Sequence, residues 1–208
     1  MEWWSAVLVA VVIQRCIVPR LACPRIDEGD EPPDFTGLGT GAHLVLVAVF
    51  AGVVAFAGAR SGVPVWPWWP YVALGAPLAV IDLRTTWLPN QLMHPLLVAT
   101  ALGLALHAVR HPSSALAGLV GAACAFGAFH LVWRVSGSFG YGDVRLAAAV
   151  GAGSGVGGLE AWLYALFAGT VLGAVAAIGH HLAGRGVSAY GPWLWLGPPA
   201  AALVVTGW

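Results

Sequence analysis

Long apolar stretches without a charged side chain constrain this chain more than any other feature. Residues 42–59 and residues 85–109 contain no Asp, Glu, Lys or Arg. Of the 208 residues, 59% are hydrophobic and 9% are charged, whereas a soluble domain carries roughly 25% charged residues. Because a helix needs about 20 mostly apolar residues to cross a bilayer, the sequence predicts an all-α polytopic transmembrane bundle of about 7–8 membrane segments.

Polar connections divide the chain into its predicted segments. We expect spans at residues 3–19, 42–59, 71–81, 91–109, 113–133, 161–183 and 191–208. Residues 146–158 are apolar but glycine-rich, which fits a broken or re-entrant helix, and whether 151–158 spans the membrane stays open. The polar connection at 20–41 is the longest, so we predict an N-terminal unit at 1–41, a helix with an acidic cytoplasmic loop, and a membrane domain at 42–208.

The arginines indicate the orientation of the bundle. Alternating spans put most of them on the side where the first span ends: Arg15, Arg20, Arg25, Arg84, Arg134 and Arg145. Arg60 and Arg110 fall on the other side. Because basic residues concentrate in cytoplasmic loops, the richer side is predicted to be cytoplasmic.

Several kinds of partner are not expected. The formal net charge is +0, so no excess of basic residues favours nucleic-acid binding. The three cysteines, Cys16, Cys23 and Cys124, form no C-x-x-C pair, which disfavours a zinc site or a disulfide framework. We therefore predict no metal and no cofactor, and we expect membrane lipid as a partner.

Two aspartates adjoin long apolar segments in a chain that otherwise keeps charge out of them. Asp82 and Asp143 are separated by two predicted spans, and an even number of crossings returns the chain to the same membrane face. Ionisable groups at membrane depth mark function by default. The alternative is that each aspartate pairs with the arginine two residues after it, Arg84 or Arg145, at a helix end.

Two carboxylates brought close together share a proton, because both cannot ionise cheaply. The charged carboxylate can then activate a water molecule while the neutral one hydrogen-bonds the carbonyl of the bond to be cleaved. Glycines at 140 and 142 flank the second aspartate, and their missing Cβ atoms would leave room for a substrate backbone. The pair therefore predicts aspartic-protease chemistry.

Both aspartate segments resemble those of one known family. Residues 81–92 (IDLRTTWLPNQL) are similar to the first aspartate region of the type IV prepilin peptidases, and residues 140–146 (GYGDVRL) are similar to the second. Residues 190–192 (YGP) resemble the late aromatic-Gly-Pro of that family. The resemblance covers roughly residues 66–208. One departure is Arg145, where the family usually has Lys.

The resemblance implies an aspartyl endopeptidase of the bacterial plasma membrane. It would remove the basic leader of Flp/Tad-like prepilins or pseudopilins at the cytoplasmic face, and pilus or secretion machinery would be a partner. The matching catalytic residues are Asp82 and Asp143. The matching substrate-binding residues are Gly140, Gly142, Arg145, Pro89 and Asn90. Residues 20–41 are too short for the cysteine-rich methylation domain of bifunctional members, so we expect a peptidase alone.

Two other functions remain open at this point. The same carboxylates could serve a small proton-coupled transporter or a secretion-assembly protein, although transporters favour midplane sites and internal repeats. They could also serve a GxGD protease that acts on other membrane substrates. The sequence assigns neither the acid nor the base of the pair, and it names neither the prepilin nor the oligomeric state.

Overall fold

The chain is a bundle of helices. A computed structural model describes residues 2–23, 32–136, 140–184 and 188–205, and within these ranges it has no β-strand. Its α-helices are α1 Glu2–Cys16, α2 Gly41–Ser61, α3 Val65–Thr85, α4 Asn90–Ala108, α5 Pro112–Ser136, α6 Tyr141–Gly155, α7 Gly158–Leu182, α8 Gly191–Trp195 and α9 Gly197–Ala202. The acidic run predicted to be a cytoplasmic loop falls mostly in residues 24–31, outside the described residues.

Five of these helical segments are long and apolar enough to cross a membrane. They are Glu2–Arg20, Gly41–Ser61, Asn90–Ala108, Pro112–Ser136 and Gly158–Leu182. Large apolar side chains cover their outward faces, as for Val45, Leu102, Leu116 and Phe167, each more than half exposed. Apolar side chains on the outside of a bundle suit a lipid environment rather than water. The predicted all-α membrane bundle is confirmed.

Helix α3 lies at the centre of the bundle. It packs against α1, α2, α4, α6 and α8, and almost every side chain from Pro67 to Asp82 is buried. The predicted span at 71–81 was too short, because the helix starts at Val65 and includes the proline- and tryptophan-rich residues that precede 71. One of these residues, Trp68, is 0% exposed and donates from Nε1 to the Gly153 carbonyl at 2.8 Å, so its indole packs inside the bundle.

Helix α6 is continuous through most of the glycine-rich stretch. Helix α6 runs unbroken from Tyr141 to Gly155, a length of about 22 Å. The helix is therefore not broken within residues 146–155, while a re-entrant course stays a prediction. It lies against α5, where a Cβ built on Gly151 would come within 2.4 Å of the Gly121 carbonyl oxygen. The glycines therefore serve close helix packing. This packing fixes the position of the first turn of α6, which carries Asp143.

The last predicted span is split into two short helices. Helices α8 and α9 meet at Leu196 instead of forming one helix over residues 191–208. Helix α8 is held on α3 by a reciprocal pair of hydrogen bonds: Trp195 Nε1 donates to the Tyr71 carbonyl at 3.2 Å, and the Tyr71 hydroxyl donates to the Trp195 carbonyl. The two rings also stack, with centroids 5.6 Å apart. This anchor places the start of α8 beside the end of α3.

Candidate active site

Asp82 lies in the last turn of α3. The helix stops soon after it, because Thr86 adopts a left-handed conformation with φ 56° and donates its N–H to the Asp82 carbonyl at 2.7 Å. A left-handed residue is a common helix terminator. The side chain of Asp82 is only 4% exposed. A carboxylate is thus held inside the protein at the end of its central helix.

Asp143 lies in the first turn of α6, which begins after Gly140. Its backbone N–H donates to the Gly140 carbonyl at 3.1 Å. Its side chain is partly buried, and Oδ1 is fully buried with no hydrogen-bond partner in the described part of the chain. A buried carboxylate oxygen without a donor is unfavourable. Such an atom in a native structure calls for a functional explanation.

Gly191 brings the two aspartates into one site. Its backbone N–H donates to Asp82 Oδ2 at 2.9 Å. A Cβ built on Gly191 would lie 2.8 Å from that same oxygen and 3.4 Å from Asp143 Oδ1. Both carboxylates therefore converge on the bare Cα of Gly191, at one end of the bundle. Two carboxylates this close, and shielded from water, favour a state in which they share a proton.

The two glycines of the second motif have different surroundings. A Cβ on Gly140 would lie 3.3 Å from Asp143 Oδ2, so the bare Cα is next to the carboxylate, and room for a substrate there stays a prediction. A Cβ on Gly142 would come within 2.7 Å of the Leu88 Cβ. The space at Gly142, which we expected to be open for a substrate backbone, is occupied by Leu88. Gly142 thus allows the loop after α3 to contact the start of α6.

Two of the remaining residues predicted to bind substrate, Asn90 of α4 and Arg145 of α6, connect these helices by a hydrogen bond between their side chains. Arg145 donates from a guanidinium nitrogen to Asn90 Oδ1, and its guanidinium carbon lies 5.0 Å from the centre of the Tyr141 ring. Pro89 precedes α4, and its carbonyl accepts the Met93 N–H at 3.0 Å. Asn90 and Arg145 are brought together beside the aspartates, where their side chains hydrogen-bond each other.

Sequence reasoning missed Gly191 and Leu88 as residues of the site. The signal for Gly191 was present, since residues 190–192 resemble a family motif and begin a segment at the same end of the bundle as the aspartates. Its contribution is a backbone N–H, which no side-chain pattern reveals. Leu88 carries no chemistry, so only the three-dimensional contact with Gly142 identifies it.

The two ionisable side chains that meet at Gly191 are both carboxylates. In the portions that the structure describes, no three His, Cys, Asp or Glu side chains cluster as metal ligands would. Paired carboxylates can divide the roles of base and acid between them. The arrangement can therefore activate a water molecule and protonate the group that the water attacks.

Comparison with known proteins identifies the family of the chain. The sequence model of the type IV leader peptidase family matches residues 69–178, more than half of the chain. The match contains both aspartates and most of the bundle, while Gly191 lies beyond it. No curated protein and no solved structure matches the chain. The chain is a multi-pass membrane peptidase that belongs to the type IV leader peptidase family.

Proposed function

We propose that this chain is a membrane-embedded aspartyl endopeptidase that removes the basic leader of Flp/Tad-like prepilins or pseudopilins. Asp82 and Asp143 are its catalytic pair, and cleavage takes place at the cytoplasmic face of the bacterial plasma membrane. One observation carries the proposal: Asp82, which is buried, and Asp143, which is partly buried, both lie within the region that matches a leader peptidase family, and their carboxylates converge on Gly191.

The chemistry follows from the shared proton. The ionised carboxylate takes a proton from water, whose oxygen bonds to the carbonyl carbon of the peptide bond. The protonated carboxyl gives its proton to the carbonyl oxygen. When the tetrahedral intermediate collapses, the carbon–nitrogen bond breaks and the leaving nitrogen takes the proton held by the first carboxylate. As the carbonyl re-forms, the second carboxylate takes back a proton from a hydroxyl of the intermediate. The pair thereby returns to its starting state with one proton.

The position of the pair suits a substrate with a basic leader. Asp82 and Asp143 lie at the same end of the bundle as Arg15 and Arg20, because α1 and α3 run in the same direction and both helices end there. Basic residues favour the cytoplasmic side of a membrane protein. A leader that stays in the cytoplasm would meet the aspartates there, while the apolar segment after it remains at the membrane.

The test is cleavage of a co-expressed prepilin in a bacterial host without its own leader peptidase. We expect the wild type to shorten the prepilin, and Asp82→Asn and Asp143→Asn each to abolish shortening while the protein still inserts into the membrane. Asp34→Asn is the matched control, because Asp34 is exposed and its carboxylate accepts hydrogen bonds from Thr36. Sequencing the N-terminus of the product identifies the cleaved bond.

Two outcomes would contradict the proposal. Full processing by either aspartate variant would remove the dyad from the mechanism. A wild type that leaves prepilins intact but cuts other membrane proteins would assign the same dyad to a protease with a different substrate. A genomic neighbourhood with pilin and secretion-ATPase genes would support prepilins as the substrate class.

A further inference from the structure

Helix α8 contacts the aspartate pair although it lies outside the region that matches the peptidase family. Gly191 is the first residue of α8 and is buried. Its N–H is a hydrogen-bond donor to Asp82 within the protein. A hydrogen bond from a backbone N–H to a carboxylate is short and directional, so it fixes where the acceptor oxygen lies.

The position of Gly191 is set by the other end of α8. Trp195 and Tyr71 exchange two hydrogen bonds between a side chain and a carbonyl. The indole reaches the Tyr71 carbonyl because residue 75 is glycine: a Cβ there would lie 2.2 Å from Trp195 Nε1. Trp195, Tyr71 and Gly75 thus form an anchor within α3 and α8. Tyr71 and Gly75 lie on α3, the helix that also carries Asp82.

The space around Gly191 admits no larger residue. A Cβ at this position would approach Asp82 Oδ2 to 2.8 Å, Leu146 Cδ2 to 3.3 Å and Asp143 Oδ1 to 3.4 Å. The first of these distances is shorter than a carbon–oxygen contact allows. The two carboxylates can therefore face each other only because residue 191 has no Cβ.

We propose that α8 is a third element of the active site, in which Gly191 is a positioning residue that holds the Asp82 carboxylate opposite Asp143. This inference rests on the proposed function, because it assigns Gly191 to the same reaction. Gly191 acts on the aspartate and not on the substrate. Replacing Gly191 should therefore lower kcat, the rate at which the enzyme–substrate complex reacts, and leave substrate binding unchanged.

The experiment measures kcat and KM for the purified full chain in lipid nanodiscs. The probe is a synthetic peptide with a basic leader, a glycine before the cleaved bond and an apolar segment after it. For Gly191→Ala we expect kcat to fall on the order of 100-fold, the effect of a misplacement of about 1 Å, with KM unchanged. Gly127→Ala is the matched control, since a Cβ at Gly127 has no atom within 4 Å, and both of its kinetic constants should stay at the wild-type values.

A second pair of variants moves α8 without adding an atom at the aspartates. Tyr71→Phe and Trp195→Phe each remove one hydrogen bond of the anchor, and we expect both to lower kcat with KM unchanged. A normal kcat in all three variants would overturn the proposal. So would a higher KM with an unchanged kcat, because that result would make Gly191 a substrate contact.

A measurement without substrate separates this inference from the proposed function. If the wild type fails to cleave the peptide, the proposed function is wrong, and thermal unfolding then decides whether Gly191 positions Asp82. Gly191→Ala should lower the midpoint of unfolding in the wild type but not in an Asp82→Ala background, where the oxygen that the new methyl group meets is absent. An equal decrease in both backgrounds would overturn the proposed positioning.

Discussion

Gly121 of α5 and Gly151 of α6 face each other so closely that neither position has room for a methyl group. A Cβ on Gly151 would lie 2.4 Å from the Gly121 carbonyl oxygen, and a Cβ on Gly121 would lie 2.6 Å from the Gly151 carbonyl oxygen. Both obstacles are backbone atoms, which cannot rotate away. The contact therefore sets the distance between the two helices.

We predict that Gly151→Ala destabilises the protein. The added methyl group must push α6 away from α5, and forcing an extra carbon into a packed interior costs about 1–3 kcal/mol. Thermal unfolding in detergent should show a lower midpoint than that of the wild type. Gly127→Ala on the open face of α5 adds the same group without a contact and should not lower the midpoint. Equal midpoints for the two variants would contradict the close packing.

The contact between Gly142 and Leu88 predicts a loss of activity. Gly142→Ala would place a Cβ 2.7 Å from the Leu88 Cβ, so the loop after α3 and the start of α6 must separate. Because each segment adjoins one aspartate, we expect cleavage to slow. Removing the opposing carbon with Leu88→Gly should restore part of the rate in the double variant. A Gly142→Ala protein that cleaves at the wild-type rate would contradict this prediction.

The bridge between Arg145 and Asn90 can be tested with a double-mutant cycle. Asn90→Ala removes the acceptor, and Arg145→Ala removes the donor. We expect a coupling of about 1 kcal/mol in the free energy of unfolding, the usual net contribution of a hydrogen bond. Arg145→Lys should lose part of this coupling, since the planar guanidinium also stacks on Tyr141.

Arg134→Lys serves as the control for that series. Arg134 is exposed at the end of α5, and the same change of side chain there should leave stability and cleavage unchanged. Additive effects of the Asn90 and Arg145 substitutions would mean that the two side chains do not interact.

The orientation of the bundle predicts which cysteines an impermeant reagent reaches. Cys23 follows α1 at the same end of the bundle as the aspartates, and Ser113 lies in the first turn of α5 at the opposite end. In a chain with Cys16 and Cys124 replaced by serine, we expect Cys23 to be labelled only after the cells are permeabilised. When Cys23 is also replaced, the Ser113→Cys variant should be labelled in intact cells. The reverse pattern would place the aspartates outside the cytoplasm.

The sequence was sufficient for the five long apolar segments and their order, because a bilayer requires apolar segments of fixed length. It was also sufficient to place Asp82 and Asp143 at the same end of the bundle, since that inference needs only the number of crossings between them. It did not establish that α6 is continuous, because hydropathy does not distinguish a helix whose glycines pack against a neighbour from a helix that they interrupt. Nor did the sequence indicate that Trp68 is buried, since an indole suits a lipid interface as well as a protein interior.

The details of the site depend on contacts that residue types do not encode. Gly191 contributes a backbone N–H, and Leu88 contributes only its shape. Both positions are defined by distances between segments far apart in the sequence. Such distances follow from how α3, α6 and α8 pack, and that packing is a property of the whole bundle.

The burial of α3 determines from which direction a polypeptide can reach Asp82. Helices α1, α2, α4, α6 and α8 pack against α3, and Asp82 is buried at the end of that helix. The chain turns away at Thr86, directly after it. With Asp82 and Asp143 as the proposed catalytic pair, we expect the substrate backbone to approach from this end of the bundle, as an extended strand and not as a membrane-spanning helix.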